Sequence, residues 1–297
     1  MRSRLLLVAL VLLLPACSSS TPSNANGAVP LEPGNDGGGD GRKTVAGDPR
    51  NLGEISLFSR GPGPDRPAYF NVGATFNVGA GAAKNTPGCE TIESDACEIS
   101  ICATSAVAKP FPQTTAGDIG VSVGATELVL KAMTPDGYDA ISQQESLWTA
   151  GETIQVHAPG RPDGAPAFDV SLEAPALLTL TEPRFVATEG KGTTVVAGEE
   201  GDVPVQWTSS APMGQVEVLL ATQSEQSSIV AVCRFESSGG NAVIPEKVMA
   251  NFPRDASTKI LISAYSAGSV DTSGWRMSVR ATTTARTPEQ LEAQGTF

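Results

Sequence analysis

Between residues 70 and 80 every even position is apolar (Phe70, Val72, Ala74, Phe76, Val78, Ala80), while Asn71, Gly73, Thr75, Asn77 and Gly79 fill the odd ones. Successive side chains of a strand point to opposite faces, so this alternation predicts a half-buried β-strand. Phe-Asn-Val-Gly-Ala occurs twice in it at an even offset, which keeps both copies on one face and marks a strand rather than a repeat architecture. Shorter runs of the same period recur at 55–57, 97–103, 119–123, 128–132, 153–157 and 167–172. Pro135-Asp136-Gly137 and Pro162-Asp163-Gly164 punctuate them as turns.

A second series follows Pro183, at 193–197, 203–207, 216–220, 229–235, 242–244, 259–264 and 275–281. Short strands at that spacing predict an Ig-like sandwich. The one helical piece expected lies over 245–252, with Pro245 at its first position. In the tail Thr287 and Gln290 are spaced as a capping box, on a segment too short to hold a helix alone. The expectation is an all-β fold of two sandwich-like parts, 51–183 and 184–285, the second Ig-like, with a tail at 286–297. Val203-Pro204-Val205-Gln206-Trp207, followed by the run Gln215 to Val218, resembles the second and third strands of fibronectin type III domains. That resemblance implies a fold class and no ligand.

The N-terminus reads as an address. Arg2 and Arg4 precede an apolar run over 5–14, and Pro15-Ala16 stand before Cys17, the layout of a signal peptide over residues 1–16. Such a run is too short for a helix across a hydrocarbon core, which needs about 20 residues. Leu14-Pro15-Ala16-Cys17 resembles the lipobox of bacterial lipoproteins, with Pro15 departing from the commonest residue at its place. The resemblance implies that Cys17 opens the mature chain and carries acyl chains, making a lipid bilayer the first partner; two or three chains give a stable anchor. Ser18, where Asp would retain a lipoprotein at the inner membrane, points to the outer membrane of a Gram-negative bacterium. Residues 17–50 are expected to form a flexible linker, rich in Gly, Pro and Ser, with a reach of about 30 Å. The stretch 35–41 has the Asn, Asp and Gly of a calcium loop but lacks the alternating ligands and closing Glu.

Charge narrows the partners. The chain carries 20 Lys+Arg against 32 Asp+Glu, a formal −12, which excludes nucleic acid as a partner. Loss of Arg2 and Arg4 with the signal peptide makes the mature chain more acidic still. One His and 5% aromatic residues remove most catalytic and metal-binding schemes, and neither a metal nor a cofactor is expected.

With Cys17 lipidated, Cys89, Cys97, Cys102 and Cys233 remain, an even set that predicts two disulfides after export. Cys97 and Cys102 are an odd number of residues apart on one strand and so face opposite ways, which argues against their bonding to each other. A bridge involving Cys89 within 89–102 is favoured, and Cys233, in phase with Ile229, Ala231 and Phe235, is left unassigned. Zinc is the alternative, disfavoured by the spacings and the absence of a nearby His.

Gly120-Val121-Ser122-Val123-Gly124 matches the Gly-x-Ser-x-Gly motif of serine hydrolases, and Ser122, Asp136 or Asp139, and His157 follow in triad order. A nucleophile elbow needs a strand that ends at the Ser and a helix after it. Here Val121 and Val123 continue the alternation, and His157 reads as a surface residue. Glu90, Glu93, Asp95 and Glu98 invite calcium binding or glycan hydrolysis and read as a solvated hairpin tip, as do Glu199, Glu200 and Asp202. Lys191 lacks the neighbours of a phosphate loop. Of the tryptophans, Trp207 and Trp275 are in phase with inward positions, whereas Trp148 is expected at the surface as the candidate for stacking on a glycan.

These features point to a lipid-anchored envelope protein without catalytic activity that presents a protein-binding or scaffolding surface. The alternatives are an envelope hydrolase of glycan or ester bonds and a glycan-binding module.

Overall fold

The computed structural model describes residues 50–63, 67–80, 88–103, 111–133, 137–188, 192–196, 201–211, 214–253, 257–289 and 291–297. The signal peptide, Cys17, most of the linker, Asp136, Lys191, Glu199, Glu200 and Gln290 lie outside the described residues. The described residues belong to one compact unit.

Nearly every described element is a strand. In the first part they are β1 (Asn51–Arg60), β2 (Tyr69–Asn77), β3 (Cys89–Ser94), β4 (Cys97–Ala103), β5 (Ile119–Val123), β6 (Thr126–Leu130), β7 (Ala132–Met133), β8 (Gly137–Tyr138), β9 (Ile141–Gln143), β10 (Thr153–Ala158), β11 (Phe168–Glu173) and β12 (Leu178–Glu182). After Pro183 come β13 (Arg184–Thr188), β14 (Gly192–Val196), β15 (Val203–Ser209), β16 (Gln215–Gln223), β17 (Ser227–Glu236), β18 (Asn241–Ile244), β19 (Lys259–Thr272), β20 (Trp275–Thr284) and β21 (Gln294–Thr296). The helix α1 (Glu246–Met249) is a single turn, and Pro245 caps it instead of occupying its first position. The expected strands are present, except that the run at 128–132 is divided at Lys131 between β6 and β7, which belong to different sheets. Their ends differ where turns intervene: β2 stops at Asn77, so Val78, read as inward, is 40% exposed in the following turn.

A twelve-stranded sheet dominates, with the order β3-β4-β17-β16-β19-β20-β1-β2-β9 and with β13, β14 and β21 attached through β19. Every adjacent pair along that path is antiparallel except β1 and β20, which run parallel. One face of this sheet carries two hydrophobic cores side by side. Over β20, β1 and β2 lies a four-stranded sheet, β11-β10-β5-β6; it buries Ile119, Val121, Ile154 and Val156 against Ile55, Phe76, Met277 and Val279. Over β4, β17, β16 and β19 lies a three-stranded sheet, β12-β15-β18; it buries Leu180, Val205, Trp207 and Ile244 against Ile99, Ala231, Val218 and Ile262. Two sandwiches thus share one backing sheet, and strands from both sides of Pro183 enter each core.

The long strand β19 makes this sharing possible. Residues 259–265 pair with β16, while residues 263–272 pair with β20, so one strand passes from the second core to the first. Alternation holds throughout its length: Ile260, Ile262 and Ala264 face the second core, and Val270 packs on the first. Arg286 fastens the same junction. Its backbone exchanges hydrogen bonds with Leu178 and Leu180 on β12, and its guanidinium donates to the carbonyls of Gly61 and Pro62 after β1. Burial lowers its basicity, and nearby Glu292 acts against that shift. Among the described residues no helix is long and apolar enough to cross a membrane.

Candidate functional site

The sole histidine lies on the solvent side of the four-stranded sheet. The sequence alternates along β10, so Ile154 and Val156 point inward while Thr153, Gln155 and His157 point out. His157 is flanked in register by Gly120 on β5 and Asp169 on β11. Gly120 is what accommodates the imidazole, since a Cβ there would stand 2.1 Å from His157 Cε1. Asp118, Glu127, Val129, Pro159 and Asp169 join them around a shallow basin of about 510 Å³. Hydrogen bonds from the Lys131 ammonium and the Ala132 backbone N–H hold the Asp118 carboxyl below the usual carboxylate range.

Ser122 is on the same strand as Gly120, yet it pairs with Gln155 and Glu127 and no hydrogen bond joins it to His157. The two lie on a diagonal of the ladder, where neighbours are typically about 7–8 Å apart. Asp139 is exposed beyond β8. The strand continues through Ser122 into a tight turn at Gly124, without the strand-to-helix elbow that activates a nucleophile.

The cysteines pair in register across adjacent strands. Cys89 bonds Cys102 between β3 and β4, and Cys97 bonds Cys233 between β4 and β17. The odd spacing of Cys97 and Cys102 does place them on opposite faces: the Cys97–Cys233 bridge is buried in the second core, whereas Cys89 and Cys102 are half-buried on the other face. Glu90 and Glu93 lie on β3 of this hairpin, Asp95 in its turn and Glu98 on β4. Glu90, Glu93 and Asp95 are exposed, and Asp95 pairs with Lys247 at 2.8 Å. Among the described residues no group of three His, Cys, Asp or Glu side chains is placed to hold a metal ion. Asp202 accepts a hydrogen bond from the backbone N–H of Glu246 at the start of α1.

Trp148 corrects an expectation. It is only 8% exposed, packed in the first core, and its indole N–H donates to Thr283 Oγ1 at 3.1 Å. The Thr-Ala-Gly turn that follows it had suggested exposure, but the segment before β10 folds under the sheet. An indole so placed offers no face to a sugar. Trp207 and Trp275 are core residues as their phase predicted.

A polar cluster that no sequence motif announced lies on the opposite face of the twelve-stranded sheet from both cores. Glu217 on β16 sits directly across from Arg234 on β17 and is 4% exposed. Its Oε2 accepts from Arg234 Nε at 3.1 Å and its Oε1 from Arg280 Nη2 on β20. Tyr265 on β19 lies between, with the two guanidinium carbons 5.1 and 4.9 Å from its ring centroid. Burial pushes the Tyr265 phenol above its ordinary pKa, and the two arginines partly offset the shift. Fixing an arginine costs about 2 kcal/mol of rotamer freedom; here a carboxylate under both side chains holds them. Half-buried Leu219, Val230, Val232 and Leu261 continue the same face as cross-strand neighbours. In sequence each charged residue is an ordinary outward position of an alternating strand; only register brings them together.

Compared with known proteins, the chain matches no family model and no curated protein.

Proposed function

We propose that this is a non-catalytic, lipid-anchored protein of the cell envelope that presents a protein-binding or scaffolding surface. The supporting observation is the second face of the twelve-stranded sheet: both cores lie on one side, and the other carries the Arg234, Glu217, Arg280 and Tyr265 cluster beside half-buried aliphatic side chains. Two disulfides fit an oxidising compartment outside the cytoplasm. The lipobox-like Leu14-Pro15-Ala16-Cys17 supports an acyl anchor on Cys17, and Ser18 supports placement at the outer membrane.

The second sandwich is best read as fibronectin type III-like. Its β12-β15-β18 layer over β17, β16 and β19 supports an A-B-E over C′-C-F reading of an Ig-type sandwich, with Trp207 on the B-like strand. Against the hydrolase alternative at these two residues, Ser122 pairs with Gln155 and not with His157.

The test is photo-crosslinking in the native envelope, with the crosslinker at Val232 on the large sheet or at Gln155 on the four-stranded sheet. A stoichiometric protein captured from position 232 and not from 155 is expected, together with loss of fatty-acid labelling in Cys17→Ser. Recovery of glycan without protein, or a hydrolytic activity abolished by Ser122→Ala, would overturn the reading.

A further inference from the structure

We infer that Cys89–Cys102 is a redox modification site that latches an edge strand: a dithiol reductant opens it while Cys97–Cys233 stays closed, and its opening frees β3 from β4. The inference concerns this end of the large sheet and does not depend on which partner the sheet face takes. Three observations carry it.

First, the two bridges differ in access. Cys97 and Cys233 are 3% and 0% exposed in the second core, whereas Cys89 and Cys102 are half-buried on the other face, beside the small side chain of Ser228 on β17. Thiol–disulfide exchange requires a thiolate to reach one of the sulfurs, so access sets the order of reduction.

Second, the bridges hold opposite ends of one hairpin. β3 ends the large sheet, and β4 is the one strand it pairs with. Cys97, the first residue of β4, fixes the turn end of the hairpin to β17, while Cys89–Cys102 closes the open end. With the buried bridge intact and the exposed one reduced, β4 keeps its place and β3 swings out from the turn.

Third, side-chain contacts give β3 little hold of its own. Glu93 stands directly across from Glu98, and like charges so placed destabilise a strand pair. Arg234, the cation of β17 on that face, is engaged by Glu217. Ser94 Oγ is buried without a hydrogen-bond partner among the described residues, a desolvation cost that release would remove. In favour of docking stand Ile92, half-buried across from Ile99, and the exposed Asp95–Lys247 ion pair, a kind of pair that contributes little.

The exchange is a two-electron step. One thiolate of the reductant attacks a sulfur of Cys89–Cys102, forming a mixed disulfide and expelling the other cysteine as a thiolate, which takes up a proton. The second thiolate of the reductant then attacks the mixed disulfide, releasing the remaining cysteine and closing the reductant's own disulfide.

The experiment treats the full-length lipidated chain in detergent micelles with dithiothreitol under native conditions. Free thiols are trapped with iodoacetamide and located by peptide mass spectrometry, while hydrogen exchange is followed in fragments holding β3 and β17. Cys89 and Cys102 are expected to label at least tenfold sooner than Cys97 and Cys233. Exchange in β3 should then rise about a hundredfold, the factor that corresponds to the closure entropy of so short a loop, with β17 unchanged. Cys89→Ser with Cys102→Ser should reproduce that rise without reductant, and Glu93→Gln should reduce it about threefold in the reduced protein. Simultaneous reduction of both bridges, earlier reduction of Cys97–Cys233, or resistance of Cys89–Cys102 to the dithiol overturns the inference. Reduction of Cys89–Cys102 that leaves β3 exchange unchanged also overturns it, and this readout on the folded wild-type chain stands even if the double-serine variant fails to fold.

Discussion

The two disulfides should contribute unequally to stability, in an order set by how much chain each one closes. Cys89 and Cys102 are 13 residues apart, whereas Cys97 and Cys233 are separated by 136. In the chain-entropy treatment a cross-link removes unfolded-state freedom in proportion to the logarithm of loop length, giving about 3 kcal/mol for the short loop and about 5 kcal/mol for the long one. Burial widens the gap, because Cys97 and Cys233 are 3% and 0% exposed and their replacement by Ala also leaves a void in the second core. With a urea slope of about 2.5 kcal/mol/M, the paired substitution Cys97→Ala with Cys233→Ala should lower the unfolding midpoint by about 2 M, and Cys89→Ala with Cys102→Ala by about 1.2 M. Tryptophan fluorescence is a suitable readout, since Trp148 and Trp275 report the first core and Trp207 the second. An equal loss for the two pairs, or a larger one for Cys89 and Cys102, would refute the argument from loop length and burial.

Other consequences are local. Gly120→Ala should cost less than about 1 kcal/mol, because the atoms it meets belong to the exposed His157 ring, which can swing away; in a His157→Ala background that cost should vanish in a thermal-unfolding cycle. Gly53→Ala is the contrasting case. Its Cβ would stand 2.6 Å from Met277 Sδ and 2.8 Å from the Phe76 ring, both buried, so about 1–3 kcal/mol should be lost by denaturant titration. Burial raises the phenol pKa of Tyr138 and Tyr265 above the ordinary 10.0. The unfolded chain ionises first, so the stability linked to these groups is intact below pH 10 and declines as pH rises through their folded values. Absorbance at 295 nm should show late-titrating phenols that Tyr138→Phe and Tyr265→Phe each reduce; phenols that all titrate at the ordinary value would contradict this.

Local pattern determined a great deal of this molecule. Alternation located the strands that hold the two cores, because a strand with one face buried must repeat its apolar residues every second position. The same rule placed Trp207 and Trp275 inside and His157 outside, and separated Cys97 from Cys102 across a sheet. It failed at Trp148, which precedes β10 in a segment with no period to read, and at Val78, where a turn ended the strand before its pattern ran out. It also passed over β3, whose Glu-rich sequence takes strand form as the disulfide-linked neighbour of β4.

Register and strand order were decided only in three dimensions. Nothing local says that β1 runs parallel beside β20, or that β4 lies against β17, since pairing partners far apart in the chain are selected by the fit of whole faces. That choice merges the two expected sandwiches along one sheet and brings Glu217, Arg234, Tyr265 and Arg280 from four strands into one cluster. The sequence by itself set which side of each strand faces water, because side-chain direction is a property of the backbone; tertiary structure alone decided which outward residues became neighbours, because proximity depends on the pairing of strands remote in the chain.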